Sequence, residues 1–285
     1  MPFLRIKYSS TLFTTIFMLA SGCREASQPI SVPQAMRMFY GNYDQNSQTS
    51  LASLPKDKGS FPAAGEELMA NRMFFNALTG SPGAQSFVLV TYAVPSSGQS
   101  FDCHACAPII GMAVFSQKRS KWTMDASNRA VTFAGGWGTP PASIQLVQIG
   151  PNRDAVQIRD VGGGQGESTA VLELLIRWNG TINRGLMRIV SDAYICDGEG
   201  EGLPCYSNQR TVKFIPNSKA EYYYLELEMT GTDLMGGNGT PMQAKAVHSL
   251  ETLKFENGSY VQVSRQGDVT TADRNLEILR SESLN

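Results

Sequence analysis

Leu225-Glu226-Leu227-Glu228-Met229 (residues 225–229) alternates apolar and acidic side chains without interruption. Successive side chains of a strand point to opposite faces, so this spacing puts Leu225, Leu227 and Met229 on one face and two carboxylates on the other. The pentapeptide closes a longer run from Tyr222 to Met229 that opens on three tyrosines, residues that favour a pleated, half-buried surface.

Working outward, the same reading applies to Phe87–Val94, Ile144–Ile149, Ala155–Ile158 and Thr169–Ile176, each bounded by Gly, Pro or Asn. Asn179-Gly180 and Asn257-Gly258 are strong hairpin signals, and Pro151-Asn152 and Pro216-Asn217 stand between further strand-like runs. Turns this close together join antiparallel neighbours, whereas parallel strands need crossover helices. The expectation is a mainly-β fold, an antiparallel sandwich or propeller-like meander with a small N-terminal helical flank. That flank is assigned to residues 66–85: Leu68, Phe75 and Leu78 share a helical face within Glu66–Leu78, and Gly80, Pro82 and Gly83 end it. Residues 23–65, rich in Ser, Gln, Pro, Gly and Asn, read as a flexible tether with a short helix near Pro33–Phe39. Residues 66–285 then form one domain.

The first residues have a different logic. Arg5 and Lys7 precede an apolar run dominated by Leu12, Phe13, Ile16, Phe17, Met18 and Leu19, too short for a bilayer-spanning helix. It stops at Ala20-Ser21-Gly22-Cys23. This segment resembles the signal peptide and lipobox of bacterial lipoproteins, with Ala20 and Leu19 in place of the usual Leu three residues before the cysteine. The resemblance covers residues 1–24 only. It implies that residues 1–22 are removed and that Cys23 carries acyl chains such as palmitate. Several such chains anchor a protein in a membrane far more firmly than one. Arg24, rather than Asp, implies the outer membrane if the cell is Gram-negative, with the domain facing the periplasm.

The chain carries 24 Lys and Arg against 25 Asp and Glu, and losing Arg5 and Lys7 with the leader makes it more acidic. That mild acidic balance gives no support to nucleic-acid binding, and no nucleic-acid partner is expected. Four cysteines remain beside Cys23, and an exported protein pairs them readily. Local pairs, Cys103–Cys106 and Cys196–Cys205, are expected; a cross-link between the two segments is the alternative.

Cys103-His104-Ala105-Cys106 also has the spacing of a dithiol exchange motif, in which His104 would favour the thiolate. Thioredoxin-like enzymes follow that motif with a helix, but Ala107–Phe115 reads as a strand. Asp197, Glu199 and Glu201, alternating with glycines between Cys196 and Cys205, form either a solvated acidic tip or a weak Ca²⁺ site. Val161–Ser168 has the glycines of a phosphate loop without its lysine or helix. No zinc set, serine triad or cofactor motif emerges. Trp122, Trp137 and Trp178 read as core packing more readily than as a sugar platform.

The resulting expectation is a membrane-anchored envelope lipoprotein with a non-enzymatic binding or structural role. Asp197–Gly202, Gly162–Gly166 and the Trp137 region are the candidate surfaces, and an envelope protein or a glycan is the partner. The alternative is a tethered thiol-disulfide oxidoreductase using Cys103 and Cys106. Replacing Cys23 by Ala should move the chain from the membrane pellet to the soluble exported fraction and abolish palmitate incorporation, read by fractionation and metabolic labelling.

Overall fold

Short turns set the chain reversals. Asn179 and Gly180 sit at φ 47° and 78°, and Asn257 and Gly258 at 49° and 89°. Positive φ at both central residues matches the twist of the strands that a hairpin joins. The computed structural model describes residues 28–53, 67–78, 85–96, 106–164, 166–194, 204–237 and 240–270. The elements in chain order are α1 (Val32–Tyr40), β1 (Thr49–Ser53), β2 (Glu67–Ala77), β3 (Ser86–Pro95), β4 (Ile109–Lys118), β5 (Lys121–Phe133), β6 (Ser143–Gly150), β7 (Arg153–Gly164), β8 (Glu167–Trp178), β9 (Thr181–Tyr194), β10 (Tyr206–Ile215), β11 (Tyr224–Gly237), β12 (Thr240–Glu256) and β13 (Ser259–Gly267).

Strands β1 to β5 form one sheet in sequence order, and β6 to β13 form an eight-stranded meander. All neighbouring strands are antiparallel. The mainly-β class with one short flanking helix is as the turns and alternation indicate, and the sheets stack as layers.

The helix, however, lies elsewhere than residues 66–85. Glu67–Ala77 is strand β2, paired with β1 and β3. A bulge between Arg72 and Phe74 shifts its phase. Leu68 and Phe75 therefore reach the same face, while Leu78 packs on the opposite one. The bulge gives a strand the apolar spacing of a helix.

The helix is α1, within the segment assigned to the tether. Ser31 caps it, its hydroxyl accepting from the Gln34 N–H at 3.3 Å, and Pro33 lies in its first turn. Ala35, Met36, Phe39 and Tyr40 are buried against Leu68, Leu89, Ile109, Ala113 and Phe115. Polar contacts fix the docking. The Tyr40 hydroxyl lies 2.7 Å from Thr91 Oγ1, and Arg129 donates to the Phe39 carbonyl through Nη2 at 2.6 Å and Nε at 3.1 Å. Burial pushes the Tyr40 phenol up to about 12, opposed by the Thr91 contact and the Arg129 charge. With β1 paired to β2, residues 28–53 belong to the folded body.

Strands β3 and β4 are buried on both faces. Leu89, Ile109, Ala113 and Phe115 face α1, while Val88, Val90, Ile110, Met112 and Val114 face Val156, Ile158, Leu175 and Ile182 of the second sheet. The other face of that sheet curls around Leu172, Leu174, Ile176, Leu225, Leu227, Leu253 and Tyr260. In the same interior, buried Glu251 is ringed by Arg188 at 3.8 Å and by Arg210 and Arg265, each at 3.9 Å.

Phe39→Ala should cost about 3–5 kcal/mol, the usual loss for a truncated buried aromatic, measured by denaturant unfolding. Unchanged stability would return α1 to the tether.

Candidate functional site

After β5 the chain makes one tight turn before Pro140 and Pro141 lead it into β6. The Gly136 N–H donates to the Thr139 carbonyl at 3.1 Å, and the Thr139 N–H donates back at 2.8 Å. The two residues between, Trp137 and Gly138, have φ of 53° and 70°. This is the pattern of a type I′ turn, whose first central position is ordinarily Asn, Asp or Gly. A side chain as large as indole in the left-handed region costs roughly 1–2 kcal/mol, and such strain persists only where its surroundings impose it.

Three hydrogen bonds impose it. The Gly138 N–H donates to the Cys106 carbonyl at 2.9 Å, and the Ala134 N–H to the Pro108 carbonyl at 3.3 Å. From the other sheet, the Asp160 carboxylate accepts from the Gly135 N–H at 2.7 Å. Trp137 is nonetheless 55% exposed.

Facing the turn, β7 runs past the start of β6. Ser143 pairs with Arg159, and β6 goes no further, whereas β8 accompanies β7 as far as Gly164. Among the described residues, Asp160–Gly164 thus has a strand on one side only. Between this stretch and the turn lies a cleft of about 670 Å³, bordered by Trp137, Pro140, Pro141, Arg159, Asp160 and Gly162, within the range of ligand sites. Exposed Arg159 makes no ion pair among the described residues.

The glycines beside the cleft differ in their reasons. A Cβ on Gly163 would lie 2.2 Å from the Glu167 carbonyl oxygen, so the hairpin itself requires glycine there. A Cβ on Gly162 or Gly164 would meet nothing within 4 Å among the described residues, and neither has positive φ.

Behind the cleft, Glu173 is buried between the sheets. Its Oε1 accepts from Thr132 Oγ1 at 3.2 Å and lies 3.9 Å from Arg184. Burial raises its pKa; the Thr132 hydrogen bond and Arg184 oppose the rise, and Asp160 adds to it. Asp192, bonded by Thr169 and Tyr206, is also raised, chiefly by burial.

Two of the three surfaces suggested by sequence, Trp137 and the Gly162 stretch, thus share one cleft. Cys106, part of the exchange motif, braces its turn. Cys106 and Cys205 are both disulfide-bonded, while Cys103, His104 and Cys196 lie outside the described residues, as do Cys23, Asp197, Glu199 and Glu201. Past Cys106 the chain enters strand β4 rather than a helix. No three His, Cys, Asp or Glu side chains among the described residues group as metal ligands. The tryptophans are dispersed: Trp122 packs on Phe87, and Trp178 packs on Tyr222 and Phe255. Sequence reading did not single out Arg159, Pro140 or Pro141; the adjacent prolines before a strand were the available signal.

No family model, curated protein or solved structure matches the chain.

Glu173 supplies a pH prediction. A carboxyl with a raised folded-state pKa binds more protons folded than unfolded, so stability falls as pH climbs through that interval. Glu173→Gln, which can still accept from Thr132, should raise Tm at pH 7.5 by about 2–4 °C, the shift that about 1 kcal/mol gives a domain of this size. The gain should shrink toward pH 4. An equal gain at both pH values would show that Glu173 titrates normally.

Proposed function

We propose that this chain is a lipid-anchored cell-envelope protein with a non-enzymatic role, binding another envelope component in the cleft between Trp137 and the end of β7. The observation that carries this reading is the indole itself. A large aromatic occupies a turn position that Asn or Gly would fill with less strain, yet more than half of it faces solvent. Residues held in strained backbone cluster at functional sites, and exposed aromatics are the usual anchors of binding surfaces. The surroundings are also suited to recognition, with a cleft of ligand size, an exposed arginine and rigid strands on both sides.

Membrane attachment enters through Cys23 and its lipobox-like context, and, if the cell is Gram-negative, outer-membrane placement through Arg24. The disulfide at Cys106 serves as a brace for the turn in this reading, holding the carbonyl that accepts from Gly138.

Trp137→Asn separates folding from binding. The substitution should raise Tm by about 2–4 °C, because Asn enters the left-handed region more readily. It should also weaken binding of the unlipidated Cys23→Ala chain to isolated cell envelopes by about tenfold or more, as expected for an aromatic hot spot. Undiminished binding would remove the cleft from consideration.

A further inference from the structure

The open side of β7 has a defined hydrogen-bonding pattern. Gly150 and Arg153 flank the two-residue turn Pro151-Asn152, the register then shifts by one residue of β6 between Gly150 and Gln148, and beyond it Ala155, Gln157 and Arg159 of the uninterrupted β7 stand opposite Val147, Gln145 and Ser143. Backbone groups alternate sides along an antiparallel strand, so the odd-numbered residues of β7 bond to β6 and the even-numbered ones to β8. The next odd positions are Val161 and Gly163, beyond the last β6 partner. Their N–H and C=O groups point to the side where β6 has ended.

The chain's own sequence stops it from filling that side. Continuing the register would set Ala142, Pro141 and Pro140 opposite Asp160, Val161 and Gly162. Proline has no N–H to give a ladder, and two in succession end the pairing. Meanwhile Gly162 and Gly164 carry no side chain where this fold leaves room for one. Glycine without a steric or conformational need inside a strand marks a place where another backbone comes close. Val161 between them is exposed.

From this we infer that the cleft receives an extended peptide segment of a partner protein as an added strand on β7, with an acidic side chain of the peptide set against Arg159. This rests on the reading of the Trp137 cleft as the binding site and names the class of its ligand. The exposed backbone edge supplies affinity without regard to sequence, and pockets beside it select side chains. Arg159, exposed and without an ion pair among the described residues, supplies the charge preference, while the Asp160 carboxylate is already engaged by the Gly135 N–H. The Trp137 ring borders the same cleft and offers a flat apolar wall to the peptide's next side chain.

The test uses the full chain in detergent and three mixtures of blocked pentapeptides: Xaa-Xaa-Glu-Xaa-Xaa, the same with central Lys, and the Glu mixture N-methylated at alternate amides. Amide hydrogen exchange is read at Val161 and Gly163, and a chitooligosaccharide serves as a glycan probe. The Glu mixture should slow exchange at both amides by about tenfold or more. The Lys and N-methylated mixtures should not. Val161→Pro, which removes one edge N–H at a position with no strand on that side among the described residues, should abolish the protection at Gly163, whereas Val161→Thr should keep it. Absence of protection by the Glu mixture overturns the inference, as does equal protection by the N-methylated peptides. Trp137-dependent protection of Gly136 and Gly138 by the chitooligosaccharide, with Val161 and Gly163 unprotected, overturns the added strand but leaves the cleft as a binding site. Protection of Val161 and Gly163 that persists in Trp137→Asn supports the added strand and removes the indole from it.

Discussion

Two-sided burial of β3 and β4 is the constraint on which the rest depends. A sheet in solution has one face to give to a core and another to give to water, but these two strands have no wet face. One side must be covered by α1 and the other by the second sheet. The helix cannot be optional under that constraint, and neither can the stacking of the two meanders. The polar clamps on α1 follow from it: Tyr40 carries a hydroxyl into an apolar layer and needs Thr91, and the Phe39 carbonyl at the end of the helix needs the Arg129 guanidinium. A buried polar group is tolerable only when its partner is fixed in place.

The same layer carries the cleft. Its floor comes from the second sheet and its wall from the loop leaving the first, so their relative position is set by packing between the sheets. Asp160 reaches across the join to Gly135, and Cys106 holds the turn from behind. A strained residue can be maintained this way because the strain is small beside the burial that enforces it.

Much of this was legible in the amino-acid order and some was not. Turns and alternation are local, so the hairpins at Asn179-Gly180 and Asn257-Gly258, the strand after Cys106 and the antiparallel meander could all be read directly. Strand β2 could not, because its bulge lets Leu68 and Phe75 share a face as they would on a helix. The helix near Pro33 was visible from its proline and its apolar island. Its burial was not, since the partners of Phe39 begin at Leu68 and extend to Phe115. For the cleft, Trp137 and the Gly162 stretch were each conspicuous by residue type. Their adjacency depends on the register of β6 against β7, which no local pattern encodes, and the left-handed backbone of Trp137 contradicts the preference of its residue type.

The docking of α1 also changes the geometry of the leash. With helix and cap packed onto the body, the span from the proposed anchor at Cys23 to Ser31 is at most ~30 Å, at ~3.6 Å per residue fully extended. A tether reaching to residue 65 would have let the body roam well away from the bilayer. Under the proposed lipid anchor, the short one would keep it within about its own diameter of the lipid headgroups, so that a partner embedded in the same membrane would meet it at high effective concentration and a distant one would not. Modest intrinsic affinity would then suffice for a ligand presented at the membrane surface.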